Sequence, residues 1–389
     1  MSEDRMTDSG LSKAERLYRN YGVRAKELKE QGQKVIAYIC ALVPLEIIAA
    51  AGFIPLRIRG DVNEPITKGD VNLETIACPY ARSCFDVSVK GRYSFCDGLA
   101  IPHSCDSIAR TYSVWRYVLG FPYSHFVNVP HTATASSLDF FKADIENFRK
   151  SLEQFADKKI SDSDLAHYVE LYNENRRKVR ALYELRRQDP PLLAGSEMTK
   201  VLLACLSLPV QEANQLLDEV HEEITGRREN GIKKLPRIMV FGSTIDHPAF
   251  MSLIEESGAN VVVDNLCIGT REFWPQTPIT ANPVDGIADR YLNRVNCPRT
   301  CKESKEGATF KDDLEARFGD MGALIRDYAV DGVILYIYKY CDPFGFEIPA
   351  RKAYLESLNV PVLYIEDEYS AGTIGSLRTR IQAFLEVIE

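Results

Sequence analysis

Short apolar runs alternate with amphipathic stretches over the first third of the chain. Runs of strand length lie at 34–39, 53–58, 98–102 and 124–129. Apolar residues between them recur at helical spacing, which predicts helices at 11–31, at 44–51, from 78–79 and from 105. Repeated strand–helix alternation is typical of a mostly parallel sheet covered by helices.

The pattern is purely helical in the middle of the chain and alternates again towards the C-terminus. Helical periodicity runs through 138–155, 165–185 and 210–224. After residue 235, strands are predicted at 237–241, 260–264, 332–338 and 361–365, and helices at 247–257, 310–328, 343–358 and from 372. We therefore predict an α/β fold with two parallel-sheet, flavodoxin- or Rossmann-like domains at 1–130 and 235–389, joined by a helical segment at 131–234.

Composition narrows the class of protein. The 389 residues are 45% hydrophobic and 26% charged, which is typical of a globular chain, and the net charge of −8 without a basic stripe argues against nucleic-acid binding. No apolar run is long enough to cross a bilayer, and the polar N-terminus gives no secretory signal. We expect a cytoplasmic protein, whose ten cysteines serve packing or metal binding rather than disulfides.

Three cysteines stand where strands are followed by helices. Cys105 follows the strand at 98–102, Cys341 follows the strand at 332–338, and Cys78 directly precedes Pro79 at the start of a predicted helix. Ligands of open parallel sheets bind at the carboxyl ends of the strands, and helix N-termini stabilise thiolates. Because the three come from both halves of the chain, a metal would lie in the cleft between the domains.

Three thiolates without an obvious fourth ligand suggest a 4Fe–4S cluster with one open iron, since a structural zinc site is closed by four ligands. The alternative, that each cysteine is a small buried residue in a turn, stays open because no ferredoxin-type run is present. Cys297 and Cys301 are the rival pair, because four-residue spacing would let them share a helix face. Cys40, Cys84, Cys96 and Cys205 are interpreted as packing residues.

The chain resembles the family of 2-hydroxyacyl-CoA dehydratases and ATP-dependent benzoyl-CoA reductases. The matching stretches are 44–52 (PLEIIAAAG), 77–84 (ACPYARSC), 97–106 (DGLAIPHSCD) and 338–343 (YKYCDP). The stretch at 78–130 is most similar to the smaller cluster-bearing subunit of benzoyl-CoA reductase. The resemblance implies a 4Fe–4S cluster on Cys78, Cys105 and Cys341.

The resemblance also implies partners and a reaction. Members pair two homologous cluster-bearing subunits, which receive electrons from a low-potential ferredoxin through a separate ATP-hydrolysing iron–sulfur activator. The absence of a Gly-x-x-x-x-Gly-Lys-Ser/Thr run agrees with ATP being bound by another chain. The expected activity is the two-electron reduction of benzoyl-CoA to a cyclohexadiene-carbonyl-CoA. Radical dehydration of a 2-hydroxyacyl-CoA and a non-catalytic electron-transfer role are the alternatives.

Four further residues are candidates for the reaction. His103, two residues before Cys105, is a candidate proton donor, although it could equally orient the turn. Glu46 matches a family carboxylate position and is a candidate acid or base, with a helix-capping role as the alternative. Arg271 and Lys339 are candidate contacts for the phosphates of coenzyme A, against the alternative of solvated surface charge.

Overall fold

The computed structural model describes residues 9–227, 231–301 and 306–388. It contains two four-stranded parallel sheets, with strand orders β2-β1-β3-β4 and β6-β5-β7-β8. The strands are β1 (Val35–Tyr38), β2 (Ile54–Arg57), β3 (Gly98–Pro102), β4 (Tyr123–Val127), β5 (Arg237–Gly242), β6 (Asn260–Asn265), β7 (Gly332–Tyr338) and β8 (Val362–Asp367). Because the two orders are the same, β1 to β4 correspond one by one to β5 to β8.

The N-terminal half begins with two helices where the sequence predicts one. They are α1 (Gly10–Arg19) and α2 (Val23–Glu30), and Gly22 separates them with a φ of 81° that favours glycine. The prediction of a single helix at 11–31 is therefore wrong. The other helices of this half are α3 (Leu45–Ala50), α4 (Gly69–Asn72), α5 (Pro79–Val89) and α6 (Asp106–Leu119).

The middle of the chain is helical, as predicted. It consists of α7 (Ala135–Ala156), α8 (Asp162–Glu184), a 3-10 turn at Leu185–Arg187, α9 (Gly195–Cys205) and α10 (Val210–Gly226). The helix α8 packs on α3 of the N-terminal half, whereas α9 packs on β6 of the C-terminal half. The helical segment therefore packs against both α/β halves.

The C-terminal half contains α11 (Ala249–Glu256), α12 (Thr270–Phe273), α13 (Pro283–Asp289), a π-helical turn at Arg290–Arg294, α14 (Phe310–Asp327), α15 (Asp342–Ser357), a 3-10 turn at Ala371–Thr373 and α16 (Ile374–Ile388). The short helices between β6 and α14 were not predicted. Within the described ranges, no helix is long and apolar enough to cross a membrane.

The hydrophobic core is continuous between the two halves. One cluster of buried side chains includes Leu56 of β2, Val240 of β5 and Leu335 of β7, and a second lies beneath α3, α7 and α13. The α/β class with two parallel sheets and a helical middle is thus confirmed. The domain boundaries at 130 and 235 stay predictions, because α8 and α9 pack on both halves.

Candidate functional site

The carboxyl ends of the two sheets face each other across a cleft. Arg57, the last residue of β2, donates from Nη1 to the backbone oxygen of Cys267, 3.1 Å away, and Cys267 follows the corresponding strand β6. Cys105 and Cys341 also follow corresponding strands, β3 and β7. The cleft therefore brings equivalent strand ends of the two halves together.

Cys78 and Cys341 are in direct contact across this cleft. Their side chains are hydrogen-bonded to each other, and the backbone N–H groups of Tyr80 and Ala81, in the first turn of α5, donate to the Cys78 sulfur. The hydrogen bond from Cys341 is the main cause of a lowered pKa at Cys78, and the same bond raises the pKa of Cys341 well above its ordinary value. The two thiols therefore titrate as a coupled pair, in which Cys78 gives up its proton more readily than Cys341.

Cys105 lies beside this pair, at the N-terminus of α6. Burial is the largest cause that raises the pKa of Cys105 to about 12, and the second is the charge of Cys78. The charge of Cys105 in turn contributes to the raised pKa of Cys341. The three cysteines singled out from the sequence are therefore neighbours in the fold.

The donor chemistry at this place is suited to an iron–sulfur cluster. Within residues 9–227, 231–301 and 306–388, no three His, Cys, Asp or Glu side chains are arranged to hold a single metal ion. A cluster sets a different requirement, because each thiolate binds its own iron and the sulfurs stand further apart than around one ion. Cluster binding would replace the hydrogen bond between Cys78 and Cys341, while the helix N-termini would stabilise the added negative charge.

Three more cysteines lie in the same cleft, and the sequence did not assign them to this site. The charges of Cys267 and Cys297 contribute to raising the pKa of Cys40 to about 12, after the larger effect of burial. Cys40 and Cys267 each stand two residues beyond a strand end, after β1 and β6. A position shortly after a strand end is the signal that singled out Cys105, and it applies to both cysteines, although the apolar run around Cys40 favoured packing.

The rival pair has a different arrangement from the one expected. Cys297 and Cys301 lie in a turn and a β-bridge rather than on a helix, so the shared helix face is wrong. Cys297 is buried beside Cys267, whereas Cys301 is exposed and its backbone N–H donates to His131 O at 2.7 Å.

His103 is one of two paired imidazoles near the end of β3. Its Nε2 lies 3.2 Å from His131 Nε2, and the rings meet edge to face with centroids 4.5 Å apart. Partial burial and the nearby Arg299 lower the pKa of both histidines. One neutral ring therefore donates to the other, and a proton on the pair would be released readily.

Glu46 lies inside a buried network of charges. The carboxylate accepts from Arg176 Nη2 at 2.7 Å, Thr277 Oγ1 at 3.0 Å and Tyr291 Oη at 2.8 Å, and it is 0% exposed. Burial acts to raise its pKa, but Arg176 and Arg290 outweigh burial and lower it to about 2. A carboxylate held this firmly as an anion favours a structural role, and its catalytic role stays a prediction.

The two candidate phosphate contacts differ in exposure. Lys339 is exposed and paired with Glu368. Arg271 is buried, and its Nη1 donates to the sulfur of Cys267 at 3.1 Å and to Gly242 O at 3.1 Å. Lys339 is therefore accessible to a ligand from solvent, whereas the guanidinium of Arg271 donates its hydrogen bonds to groups within the cleft.

Comparison with known proteins matches the sequence to a family. The model of the 2-hydroxyglutaryl-CoA dehydratase D-component family matches residues 40–388, a stretch that includes all the cleft cysteines. The chain belongs to this family. It is therefore an enzyme subunit of the acyl-CoA dehydratase and reductase family, a family that bears an iron–sulfur cluster, and the expected family membership is confirmed.

Individual relatives of the D-component family cover nearly the whole chain. The chain is 27% identical to a benzoyl-CoA reductase subunit of Thauera aromatica, over 97% of this chain and 98% of the relative. It is also 27% identical to the Escherichia coli (strain K12) protein YjiM, whose name assigns it provisionally as a dehydratase subunit, over 93% of each. The (R)-phenyllactyl-CoA dehydratase beta subunit of Clostridium sporogenes is 22% identical, over 93% of this chain and 94% of the relative. These names are those of subunits, which agrees with a chain that works in a larger assembly.

Proposed function

We propose that this chain is the iron–sulfur subunit of an ATP-dependent benzoyl-CoA reductase. The observation that carries the proposal is the proximity of three cysteines at helix starts: Cys105 and Cys341, after the equivalent strands β3 and β7, and Cys78, at the start of α5. Similarity to the benzoyl-CoA reductase subunit of Thauera aromatica, along almost the full length of both chains, supports the choice of reaction. The proposed ligands are these three thiolates, and the proposed cofactor is a 4Fe–4S cluster.

The reaction adds two electrons and two protons to the aromatic ring and yields a cyclohexadiene-carbonyl-CoA. A cluster held by these thiolates would supply single electrons at low potential. In this proposal, the chain's residues hold the thioester close to the cleft, exclude water and deliver protons. The paired His103 and His131 are suited to proton delivery, because their lowered pKa values make a protonated pair a ready donor.

The proposed assembly includes a homologous cluster-bearing subunit and an ATP-hydrolysing iron–sulfur activator that takes electrons from a low-potential ferredoxin. The location proposed for it is the cytoplasm. Lys339 is proposed to contact a phosphate of coenzyme A, since its exposed ammonium can exchange Glu368 for a phosphate. Arg271 is the weaker candidate, because it already donates to Cys267 and to backbone oxygens.

Dehydration of a 2-hydroxyacyl-CoA is the second candidate reaction. The observation that favours it is the naming of several relatives, among them a phenyllactyl-CoA and a 2-hydroxyglutaryl-CoA dehydratase beta subunit. The same cleft would serve, because this reaction also begins with transfer of one low-potential electron to an acyl-CoA.

Assay of the anaerobically purified complex distinguishes the two reactions. The complex is supplied with ATP, a low-potential reductant and either benzoyl-CoA or a panel of 2-hydroxyacyl-CoAs. We expect loss of benzoyl-CoA with formation of a cyclohexadiene-carbonyl-CoA. Formation of enoyl-CoA from a 2-hydroxyacyl-CoA, with benzoyl-CoA unchanged, would overturn the reductase in favour of the dehydratase.

A further inference from the structure

Three buried tyrosine rings pack against one another behind the cysteine site. The ring centroids of Tyr80 and Tyr369 are 5.6 Å apart, those of Tyr338 and Tyr369 are 5.2 Å apart, and those of Tyr80 and Tyr338 are 6.4 Å apart. The three residues, here called the tyrosine triad, are 7%, 1% and 4% exposed in chain order. Separations of this size are those of interacting aromatic pairs, and electrons tunnel rapidly over such short steps.

The inner end of the tyrosine triad adjoins the proposed cluster ligands. The backbone N–H of Tyr80 donates to the Cys78 sulfur. The charge of Cys78 acts on Tyr338, which lies three residues before Cys341 in the chain. The tyrosine triad therefore begins where iron is proposed to bind.

The outer end of the tyrosine triad reaches a cavity of about 580 Å³. Tyr369 lines this cavity beside the half-buried His247, and the two rings meet edge to face with centroids 6.2 Å apart. The exposed Asn20 and Asn63 line the same cavity, so it opens to solvent. The three tyrosines thus connect a buried site with a place that small solutes can enter.

Tyr369 has an acceptor for its phenolic proton. Its hydroxyl donates to Asp246 Oδ1 at 2.7 Å, and the other carboxylate oxygen of the buried Asp246 accepts from the backbone N–H of Gly60 at 3.2 Å. Burial and the charge of Asp246 raise the pKa of Tyr369 well above its ordinary value, so the phenol holds its proton at rest. Because an oxidised phenol is a strong acid, a carboxylate at this distance lets electron and proton leave together.

The same pairing of phenol and carboxylate recurs next to the tyrosine triad. The hydroxyl of Tyr336 donates to the buried Asp367, and the Tyr336 ring lies 5.4 Å from that of Tyr338 between centroids. Burying a carboxylate among aromatic rings costs free energy, and phenylalanine would fill the same space without it. Two such carboxylates in one aromatic group therefore favour a function for the phenols beyond packing.

Tyr369 is also held in an unfavourable backbone conformation. Its φ is 56°, in the left-handed region that residues with a side chain rarely adopt. A Cβ on Gly60 would lie 2.6 Å from the Tyr369 hydroxyl oxygen, so the neighbouring chain leaves room for the phenol at this place. Strain of this kind persists where the surrounding structure imposes it, and it is concentrated at functional sites.

We propose that Tyr369 is a redox-active tyrosine that passes oxidising equivalents from the iron site to the surface cavity, with Asp246 as its proton acceptor. Hydrogen peroxide that reacts with ferrous iron yields oxidants of the hydroxyl-radical class. Such an oxidant takes one electron from the tyrosine triad and becomes hydroxide, while the phenolic proton of Tyr369 moves to Asp246 and a neutral tyrosyl radical is left. A small thiolate in the cavity then returns one electron and becomes a thiyl radical, and the proton returns from Asp246 to the phenol oxygen.

Photo-oxidation of the iron-free chain tests the redox site by a readout other than activity. The full chain is illuminated with ruthenium tris(bipyridine) and persulfate, frozen, and examined by electron paramagnetic resonance. We expect a tyrosyl radical that forms more slowly in heavy water, and loss of most of its signal in Tyr369→Phe and in Asp246→Asn. Tyr123→Phe is the matched control, because Tyr123 is also buried but is hydrogen-bonded to Ser151 instead of a carboxylate.

Cysteine oxidation tests the direction in which the oxidising equivalents move. The anaerobically purified, iron-loaded chain is exposed to limiting hydrogen peroxide, and mass spectrometry measures sulfinic and sulfonic acid at Cys78, Cys105 and Cys341. We expect more of both acids in Tyr369→Phe than in the unaltered chain, with Tyr123→Phe equal to the unaltered chain.

The outcomes decide the inference separately from the proposed function. An unchanged radical signal in Tyr369→Phe would overturn it, as would equal cysteine oxidation in Tyr369→Phe and the unaltered chain. Circular dichroism checks folding, and if Tyr369→Phe does not fold, spin trapping and peptide mapping of the unaltered chain decide, since adducts found only at other residues would overturn the inference. Failure of the chain to bind iron would overturn the proposed function, whereas the iron-free measurement would still decide whether Tyr369 is redox-active.

Discussion

Replacement of Glu46 by glutamine separates a structural role from a catalytic one. Glutamine keeps the shape of the side chain but removes the negative charge, which leaves Arg176 and Arg290 buried with only Glu272 to compensate them. It also turns one acceptor into a donor, so the bonds from Tyr291 and Arg176 cannot both be kept. We expect a large loss of stability, because removing one partner of a buried ion pair leaves an uncompensated charge.

The magnitude follows from the pKa of Glu46. Lowering from 4.5 to about 2 corresponds to about 3 kcal/mol at roughly 1.4 kcal/mol per unit. Measured losses for broken buried pairs are about 3–5 kcal/mol, so the two routes agree. Because the pKa is lowered on folding, this stabilisation is fully present above about pH 4.5 and is lost as the pH falls towards 2.

Urea unfolding followed by circular dichroism measures the effect. At pH 7, the midpoint for Glu46→Gln should lie well below that of the unaltered chain, and the two midpoints should approach each other as the pH is lowered through this range. Glu368→Gln is the control, since this carboxylate is exposed and its pair with Lys339 is screened by water. Equal midpoints for Glu46→Gln and the unaltered chain, together with lost turnover, would refute the structural role and support the catalytic one.

Three further changes test other parts of the structure. Gly269→Ala would place a Cβ in steric overlap with Asp264 Oδ1, so the unfolding free energy of this variant should fall by about 1–3 kcal/mol. Gly345→Ala in α15 is the control, because its Cβ would meet no atom within 4 Å and the change should be neutral or stabilising. The same urea titration measures both variants. Arg299→Lys should lower the unfolding free energy by about 1–3 kcal/mol, because the three carbonyls are reached from three different nitrogens of the guanidinium, whereas an ammonium donates from a single nitrogen. Unchanged stability would contradict that function of the guanidinium. Cys105→Ser should lower the iron content of the anaerobically purified chain, and full iron retention would remove Cys105 from the ligand set.

The sequence predicted the elements that local pattern determines. The strands β3 and β7 have the predicted bounds, because each is a continuous apolar run with a turn on both sides. The helix α9 was missed, since its buried residues cover most of its surface and leave little periodic contrast. The helical periodicity of the sequence also continues across Gly22. The break between α1 and α2 at this residue is visible only in its positive φ.

Part of the site could be predicted in the same way, and part could not. Cys78, Cys105 and Cys341 adjoin helix starts, which the chain marks locally with proline or aspartate. The proximity of Cys40 and Cys297 depends instead on how the two sheets face each other, and no local pattern encodes that. The burial of Glu46 likewise depends on Arg176 and Tyr291, which lie 130 and 245 residues away along the chain.

The correspondence of the two sheets explains why the cleft collects thiols from both halves. Equal strand orders place β3 and β7 at the same position in their sheets, and the loops that follow them carry Cys105 and Cys341. The contact between Arg57 and Cys267 joins the ends of β2 and β6 in the same way. Because the two halves meet through equivalent sheet edges, the loop after each strand lies opposite the loop after the corresponding strand. Both halves therefore contribute cysteines to one site. Such a site lies between the two halves rather than within one, so its contact between Cys78 and Cys341 depends on how the two sheets pack against each other.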